Sequence, residues 1–402
     1  MLSQKTQTFW ILFALWLMMF SSSSQVVIIA PILPRIGDAL AIPESIQGTL
    51  ITAYALMLSI FALIIGPISD RVGRRRMLMV GSAALSTTLF LHAFADSYLS
   101  LLTIRALAGA SAGMLSGAAV AYVGDYFPYE RRGWANGWVM SGIAFGQIIG
   151  IPIGTLMADL YGFRSPFLMF AVTMFLASIL IWRVVPQPNV PLNRQRLTVR
   201  NAVAGYLQLT KEPNVQFAAI AYFLMFFSVG LYIVFLPTWL EGRLHVSGAD
   251  IASLFLVGGI ANVITGPLAG RISDRLGRKP LIVASCVGLG VIMLITTYVV
   301  DDMMVAYLVF GAAMSMVAMR ISPLQSLMTA LVSADRRGIL MSLAVAVGQL
   351  GVGIGSAAAG LTYTRYGYLS NTIIGAISIF LMALLVQQRI PEPDASLAGV
   401  KA

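Results

Sequence analysis

Residues Gly66 to Arg76 read GPISDRVGRRR, and residues Gly270 to Pro280 read GRISDRLGRKP. Asp274 stands 204 residues after Asp70, so one charged loop is written twice in a single chain. The first copy places five charged residues among the seven from Asp70 to Arg76, whereas charged residues make up only 10% of the chain. Around these two islands the sequence is 58% hydrophobic, with a mean hydropathy of +0.85 over 402 residues. That is more apolar side chain than a water-soluble core can enclose, so lipid is the solvent for most of the chain.

A bilayer core of about 30 Å calls for roughly 20 apolar residues of helix. Twelve runs meet that need, at 9–33, 46–68, 77–95, 98–124, 135–158, 165–183, 215–238, 250–270, 280–300, 303–332, 339–363 and 371–388. Each is continuous, whereas barrel strands would alternate in polarity over about ten residues. The first run lacks a small-residue cleavage site and is expected to stay in the mature protein. The single cysteine, Cys286, excludes an intramolecular disulfide and a Cys-rich metal site. The net charge of +10 resides in short loops rather than on a soluble face, so no nucleic-acid partner is expected. With a cytoplasmic N-terminus, 20 of the 26 Lys and Arg lie on the cytoplasmic side; Arg35, Arg164, Arg243 and Arg365 lie opposite, and Arg105 and Arg320 fall within spans. The positive-inside bias therefore predicts both termini in the cytoplasm of a bacterial-type inner membrane.

The duplication reaches beyond the loop. Pro34 matches Pro237, Gly146-Gln147 matches Gly348-Gln349, and YERRG ending at Gly133 matches ADRRG ending at Gly338. Six spans repeated in this way give parallel halves related by an axis along the membrane normal. The expected organisation is an N-terminal six-helix bundle at 1–184, a cytoplasmic linker at 185–213, a C-terminal six-helix bundle at 214–390 and a tail at 391–402. An interfacial helix over 197–209 is a further expectation. The loop pattern G-x-x-x-D-R-x-G-R-R/K, twice present, resembles the signature of the major facilitator superfamily over essentially the whole chain. LLTIRALAGASAG around Arg105 resembles the family's R-x-x-x-G motif. GQIIGIPIGT, with Gly146, Gly150, Pro152 and Gly154, is similar to the antiporter motif G-x-x-x-G-P-x-x-G-G, although Ile151 separates the Gly-Pro pair and Thr155 replaces the last glycine. IAPILP resembles the drug:proton antiporter branch. The resemblance implies an all-α membrane protein of two pseudo-symmetric bundles, no enzymatic activity, and protons as coupling ion.

Several residues stand out against the apolar background. An arginine at a span centre costs about 2.5–3.5 kcal/mol, so Arg105 and Arg320 should face the interior. Gln25, Tyr54, Tyr222, Asn262, Gln325 and Gln349 are polar candidates for a substrate or coupling cavity, each open to the alternative of an interhelix hydrogen bond. Ser21 to Ser24 suit either a wet surface or close helix packing. In the two loops, Gly66, Asp70, Arg71 and Arg74, with Gly270, Asp274, Arg275 and Arg278, form a candidate conformational latch. The resemblance implies that Asp70 and Arg74 pair with an acid matching Asp125, while the alternative is that these arginines only set topology. None of the sixteen acidic residues lies near the middle of a span, so carboxylate-based proton coupling has no obvious seat. No cofactor and no metal are expected, and the chain is expected to act as a monomer. Two functional readings follow. One is a proton-coupled exporter of a small amphipathic or polar organic solute; the other is a carrier of organic anions or lipid-like solutes with Arg105 and Arg320 as cationic partners.

Overall fold

The computed structural model describes residues 4–189, 206–333 and 336–391, and leaves aside the side chains of Gln4, Lys5, Gly66, Pro67, Asp70 and Tyr129. Among the described residues, 12 helices are long and apolar enough to cross a membrane. They are α1 (Thr6–Val27), α2 (Glu44–Ile65), α3 (Arg74–Phe94), α4 (Tyr98–Tyr126), α5 (Glu130–Tyr161) and α6 (Ser165–Val184). The second set is α7 (Pro213–Leu244), α8 (Gly248–Leu276), α9 (Arg278–Val299), α10 (Met303–Ala330), α11 (Arg337–Tyr366) and α12 (Tyr368–Arg389). An even number of crossings puts both ends of the chain on one side, here the terminal end; the opposite side is the Arg35 end. Of the expected interfacial helix, 206–209 are helical and 197–205 lie outside the described residues, as does the tail beyond 391.

Local chemistry marks the turns. Ser97 and Ser247 cap α4 and α8 with reciprocal side-chain and backbone bonds, and Asp302 accepts from the Val305 amide (2.8 Å) at the start of α10. Gly73 (φ +101°) and Gly277 (φ +92°), the glycines of D-R-x-G-R, each end one helix and begin the next. A side chain with a Cβ is strained in that backbone region, which gives the repeated glycine its physical reason. The expected single run 9–33 is in fact two helices: α1 ends at Val27, and a short helix, Ile29–Leu40, follows. Pro31 has no amide to offer the Val27 carbonyl and its ring crowds that oxygen, so the helix breaks there.

Small residues set the spacing inside each bundle. A Cβ on Gly142 would stand 2.5 Å from the Trp16 carbonyl oxygen, and one on Gly146 would stand 2.5 and 2.6 Å from the Ser23 and Ser24 hydroxyls. The glycine face of α5 is thus pressed onto the serine run of α1. Ser21 donates to Thr173 (2.7 Å) and Ser24 to the Phe20 carbonyl (2.8 Å), so these two hydroxyls serve packing. Gly146–Gly150 is a π turn just ahead of Pro152, which lacks the amide that would bond Ile148. On α11, Gly351 and Gly355 meet α7 in the same way, 2.6 and 2.5 Å from the carbonyl oxygens of Phe223 and Phe227.

The bundles touch along α2–α11 and α5–α8. Thr52 donates to the Gly353 carbonyl (2.6 Å) and Ser59 to the Ala346 carbonyl (2.9 Å), while a Cβ on Gly360 would stand 2.8 Å from the Glu44 carbonyl oxygen. On the other flank, Gly259 lies against the Gln147 carbonyl, 2.9 Å from a Cβ. Among the described residues, Gly266, on the same face of α8 two turns on, has nothing within 4 Å, and Gly270 meets only Ser322 of its own bundle at 3.4 Å. The bundles are therefore closed at the Arg35 end and part along α5–α8 toward the terminal end. Overpacking a close helix contact costs about 1–3 kcal/mol. Gly146→Leu should accordingly lower the melting temperature in detergent by several degrees. Gly137→Leu, on the same helix with nothing within 4 Å, should leave it unchanged.

Candidate functional site

The R-x-x-x-G spacing on α4 has a direct geometric meaning. Arg105 and Gly109 lie one turn apart on one face. A Cβ on Gly109 would stand 2.9 Å from Tyr54 Cα, so only glycine lets α4 approach α2 there. That approach brings the Arg105 guanidinium over the Tyr54 ring, 4.4 Å from its centroid. Arg105 Nη1 donates to Gln25 Oε1 (3.3 Å), and Gln25 Nε2 donates to the Tyr54 hydroxyl (2.8 Å) and the Ser22 carbonyl (3.3 Å). All three side chains are buried. A stacked cation is worth about 0.5–2 kcal/mol and a charged hydrogen bond about 1.5–3 kcal/mol, enough together to offset the cost of holding Arg105 at this depth. His92 lies within electrostatic reach of Arg105. It stacks on Phe167 (4.0 Å), and its Nδ1 is 2.8 Å from the Thr88 carbonyl, which can only accept, so Nδ1 carries the proton.

The second bundle holds its arginine differently. Arg320 is fully buried, yet among the described residues its one hydrogen bond runs from Nη1 to the Met316 carbonyl of its own helix (3.3 Å). Nε and Nη2 have no partner among the described residues, and the neighbouring polar group within electrostatic reach is Cys286. Tyr222 of α7 and Gln325 of α10 lie within electrostatic reach of one another. Asn262 and Gln349 are half-buried. Gln25, Tyr54 and Arg105 thus form one cluster, Tyr222 and Gln325 a pair, and Arg320 stands apart from both.

At the terminal end, Arg74 Nε pairs with Asp125 Oδ2 (2.8 Å) and Nη1 donates to Ser69 (3.0 Å). Of the expected latch residues, the surroundings of Gly66 and the side chain of Asp70 lie outside the described residues. Arg71, Asp274 and Arg275 are exposed and Arg278 half-buried. Gly270 makes no close helix approach, since its nearest neighbour is at ordinary contact distance; the conformational demand for glycine falls on Gly73 and Gly277 instead.

Two constellations are absent from the sequence reading. At the Arg35 end, Arg35 pairs with Asp159 of its own bundle (2.9 Å) and with Glu241 of the other bundle. Burial pulls the Arg35 guanidinium down, but bonds and charge from Glu241 and Asp159 outweigh it and raise its pKa, so the guanidinium stays charged. The available signal was a basic residue on the less basic side of the membrane, with acids at the same level. At the terminal end, a cavity of about 950 Å³ opens between α1 and α5, walled by Phe13, Trp16, Phe127, Trp134 and Trp138 with Arg131. Aromatic residues read as ordinary span residues, so the sequence hid it.

The Major Facilitator Superfamily model matches residues 15–317 and 218–401. An uncharacterized MFS-type transporter, YceJ of Bacillus subtilis (strain 168), is 25% identical over 390 residues, covering 95% of this chain and 96% of that protein. The multidrug resistance protein MdtG of Proteus mirabilis (strain HI4320) is 28% identical, covering 72% of this chain and 73% of that protein. Among solved structures, the inward open conformation of the xylose transporter XylE from E. coli superposes with a TM-score of 0.77 at 18% identity, covering 96% and 97% of the two chains. The human organic anion transporter MFSD10 superposes with a TM-score of 0.72 at 17% identity, covering 94% of this chain and 99% of that one.

The Arg105 cluster makes a double-mutant prediction. Gln25→Leu strips a partner from a buried guanidinium and should cost about 1–3 kcal/mol in thermal melts. Gln25→Leu combined with Arg105→Met removes the charge as well and should recover most of that loss.

Proposed function

The chain belongs to the major facilitator superfamily and is a transporter rather than an enzyme, and from that premise we propose that it exports a small organic solute in exchange for protons. The proposed cycle is alternating access, with residues 1–184 and 214–390 as the two moving bodies and both termini in the cytoplasm of an inner membrane. What supports the cycle most is the asymmetry between its ends: an ion pair and close glycine contacts at the Arg35 end, and a parting of α5 from α8 at the other. A rigid pore would have no use for a charged cross-link on one side alone. In this orientation the open mouth faces the cytoplasm, the side from which an exporter loads.

Export is favoured by the relatives named as multidrug resistance proteins and by the glycine face of α5. The acidic residues inside the helices, Asp125, Asp159, Glu241, Asp250 and Asp274 among them, all sit in terminal turns. Proton coupling therefore has to run through groups at the ends of the helices or through the substrate itself. Arg320 supports a second reading, transport of organic anions or lipid-like solutes without carboxylate-based coupling. Its two unpartnered nitrogens in a setting without acid are what a bound anion would satisfy.

The outer cross-link gives a direct test. In a Cys286→Ser background with Thr52→Cys as the only thiol, Arg35→Ala should speed labelling by a membrane-impermeant maleimide applied from the Arg35 side several-fold; unchanged labelling would remove the gate. Coupling is read separately in acid-loaded proteoliposomes, where adding a transported solute should dissipate the pH gradient. Arg320→Lys and Arg320→Ala should abolish uptake of anionic solutes while insertion is retained, and intact uptake would exclude Arg320 from the site.

A further inference from the structure

The cavity at the terminal end has a composition that specifies a ligand. Trp16 is fixed: it stacks with Phe13 (6.0 Å, 13° between planes) and Phe20 (5.7 Å, 7°), and its indole N–H donates to Ser141 (3.1 Å). Opposite, Trp134 and Trp138 stand one turn apart on α5 and are 52% and 53% exposed, so their ring faces are available to a third body. Arg131 precedes Trp134 by three residues and lines the same cavity. Among the described residues, no carboxylate lines it. At about 950 Å³ the space is at the upper end of what drug-sized ligands occupy.

We propose that this cavity is a loading site for a small organic anion with a flat aromatic body, the rings of the solute packing against Trp134, Trp138 and Trp16 and its acid group meeting Arg131. The proposal rests on the transporter reading, whose substrate class it narrows. Aromatic faces would also attract a lipophilic cation. Such a cation would meet Arg131 as a like charge, and the two buried guanidinium groups deeper in the bundles, Arg105 and Arg320, would repel it again. An anion is favoured at all three stations. An interfacial tryptophan belt would explain indoles on a convex, lipid-facing surface, whereas these line a concavity of defined volume between two helices. Flat, stacked walls favour a ring over a flexible acyl chain, because offset stacking needs a planar partner. The site also lies on α1 and α5, at the end where α5 has parted from α8.

Three of the six tryptophans line the cavity, which supplies the readout. The probe is 6-bromo-2-naphthoate, whose bromine quenches indole emission on contact, titrated into the purified full chain in nanodiscs of zwitterionic lipid. Saturable quenching is expected. Trp134→Leu with Trp138→Leu should weaken binding, followed through Trp16 and thermal shift, by about tenfold. Arg131→Gln should weaken it about threefold to tenfold and abolish its salt dependence, while neutral 2-bromonaphthalene should bind the wild type and Arg131→Gln alike. All the altered side chains are surface-facing, and an unchanged melting temperature without ligand verifies the fold. Equal naphthoate affinity in the tryptophan variant, or in Arg131→Gln, would overturn the proposal. So would loss of naphthoate binding when a fifth of the lipid is replaced by an anionic phospholipid, since the cavity would then be a lipid site. The assay needs no transport: binding lost with proton-coupled transport retained defeats this inference alone, and the reverse outcome defeats the exporter reading alone.

Discussion

A charged side chain in hydrocarbon must find a partner or cost several kcal/mol, and this constraint organises the molecule. At the Arg35 end it joins the bundles, because Arg35 satisfies itself on Asp159 of one and Glu241 of the other. Arg164 and Arg243, also on that side, donate to the backbone carbonyls of Ala95 and Val300 (3.1 Å each). Three of the four arginines that run against the positive-inside bias are therefore tied into the structure. Inside the first bundle the same constraint builds the Gln25–Tyr54–Arg105 cluster, and in the second it leaves Arg320 with donors to spare.

Closure at the Arg35 end combines two kinds of contact. The ion pair is part-exposed, and pairs of that kind contribute about 0–1 kcal/mol each. The glycine-lined contacts of α2 with α11 have no charge, and they bring backbone against backbone over several turns. In the proposed cycle, a gate held by many small terms and one screened charge pair can open and reclose, because removing any one term shifts the balance without abolishing either state. A large buried ion cluster would instead hold one state too firmly for a cycle.

The sequence displays those features that depend on neighbours along the chain and conceals those that depend on distant partners. Apolar runs define the helices, and the twice-written loop defines the repeat through Gly73 and Gly277, whose backbone no other residue adopts easily. The R-x-x-x-G pattern marks the place where α4 meets α2, yet nothing local says that the partner is the Tyr54 backbone. The break after Val27 is not legible from Pro31 alone, because a proline within a span can also be absorbed as a kink. Glu241 lies 206 residues from Arg35, and no periodicity connects them. The tryptophan cavity joins residues more than a hundred positions apart whose individual character is simply apolar.

The proposed cycle requires the two ends to open in opposition. Spin labels across the terminal end, at Gly133→Cys and Gly266→Cys, and across the Arg35 end, at Ser45→Cys and Leu361→Cys, report it by pulsed electron resonance in a Cys286→Ser background. Two anticorrelated distance populations are expected at each end, with Arg35→Ala lengthening the Arg35-end distance and shortening the terminal-end distance. A single distribution at both ends, unmoved by Arg35→Ala, would contradict it.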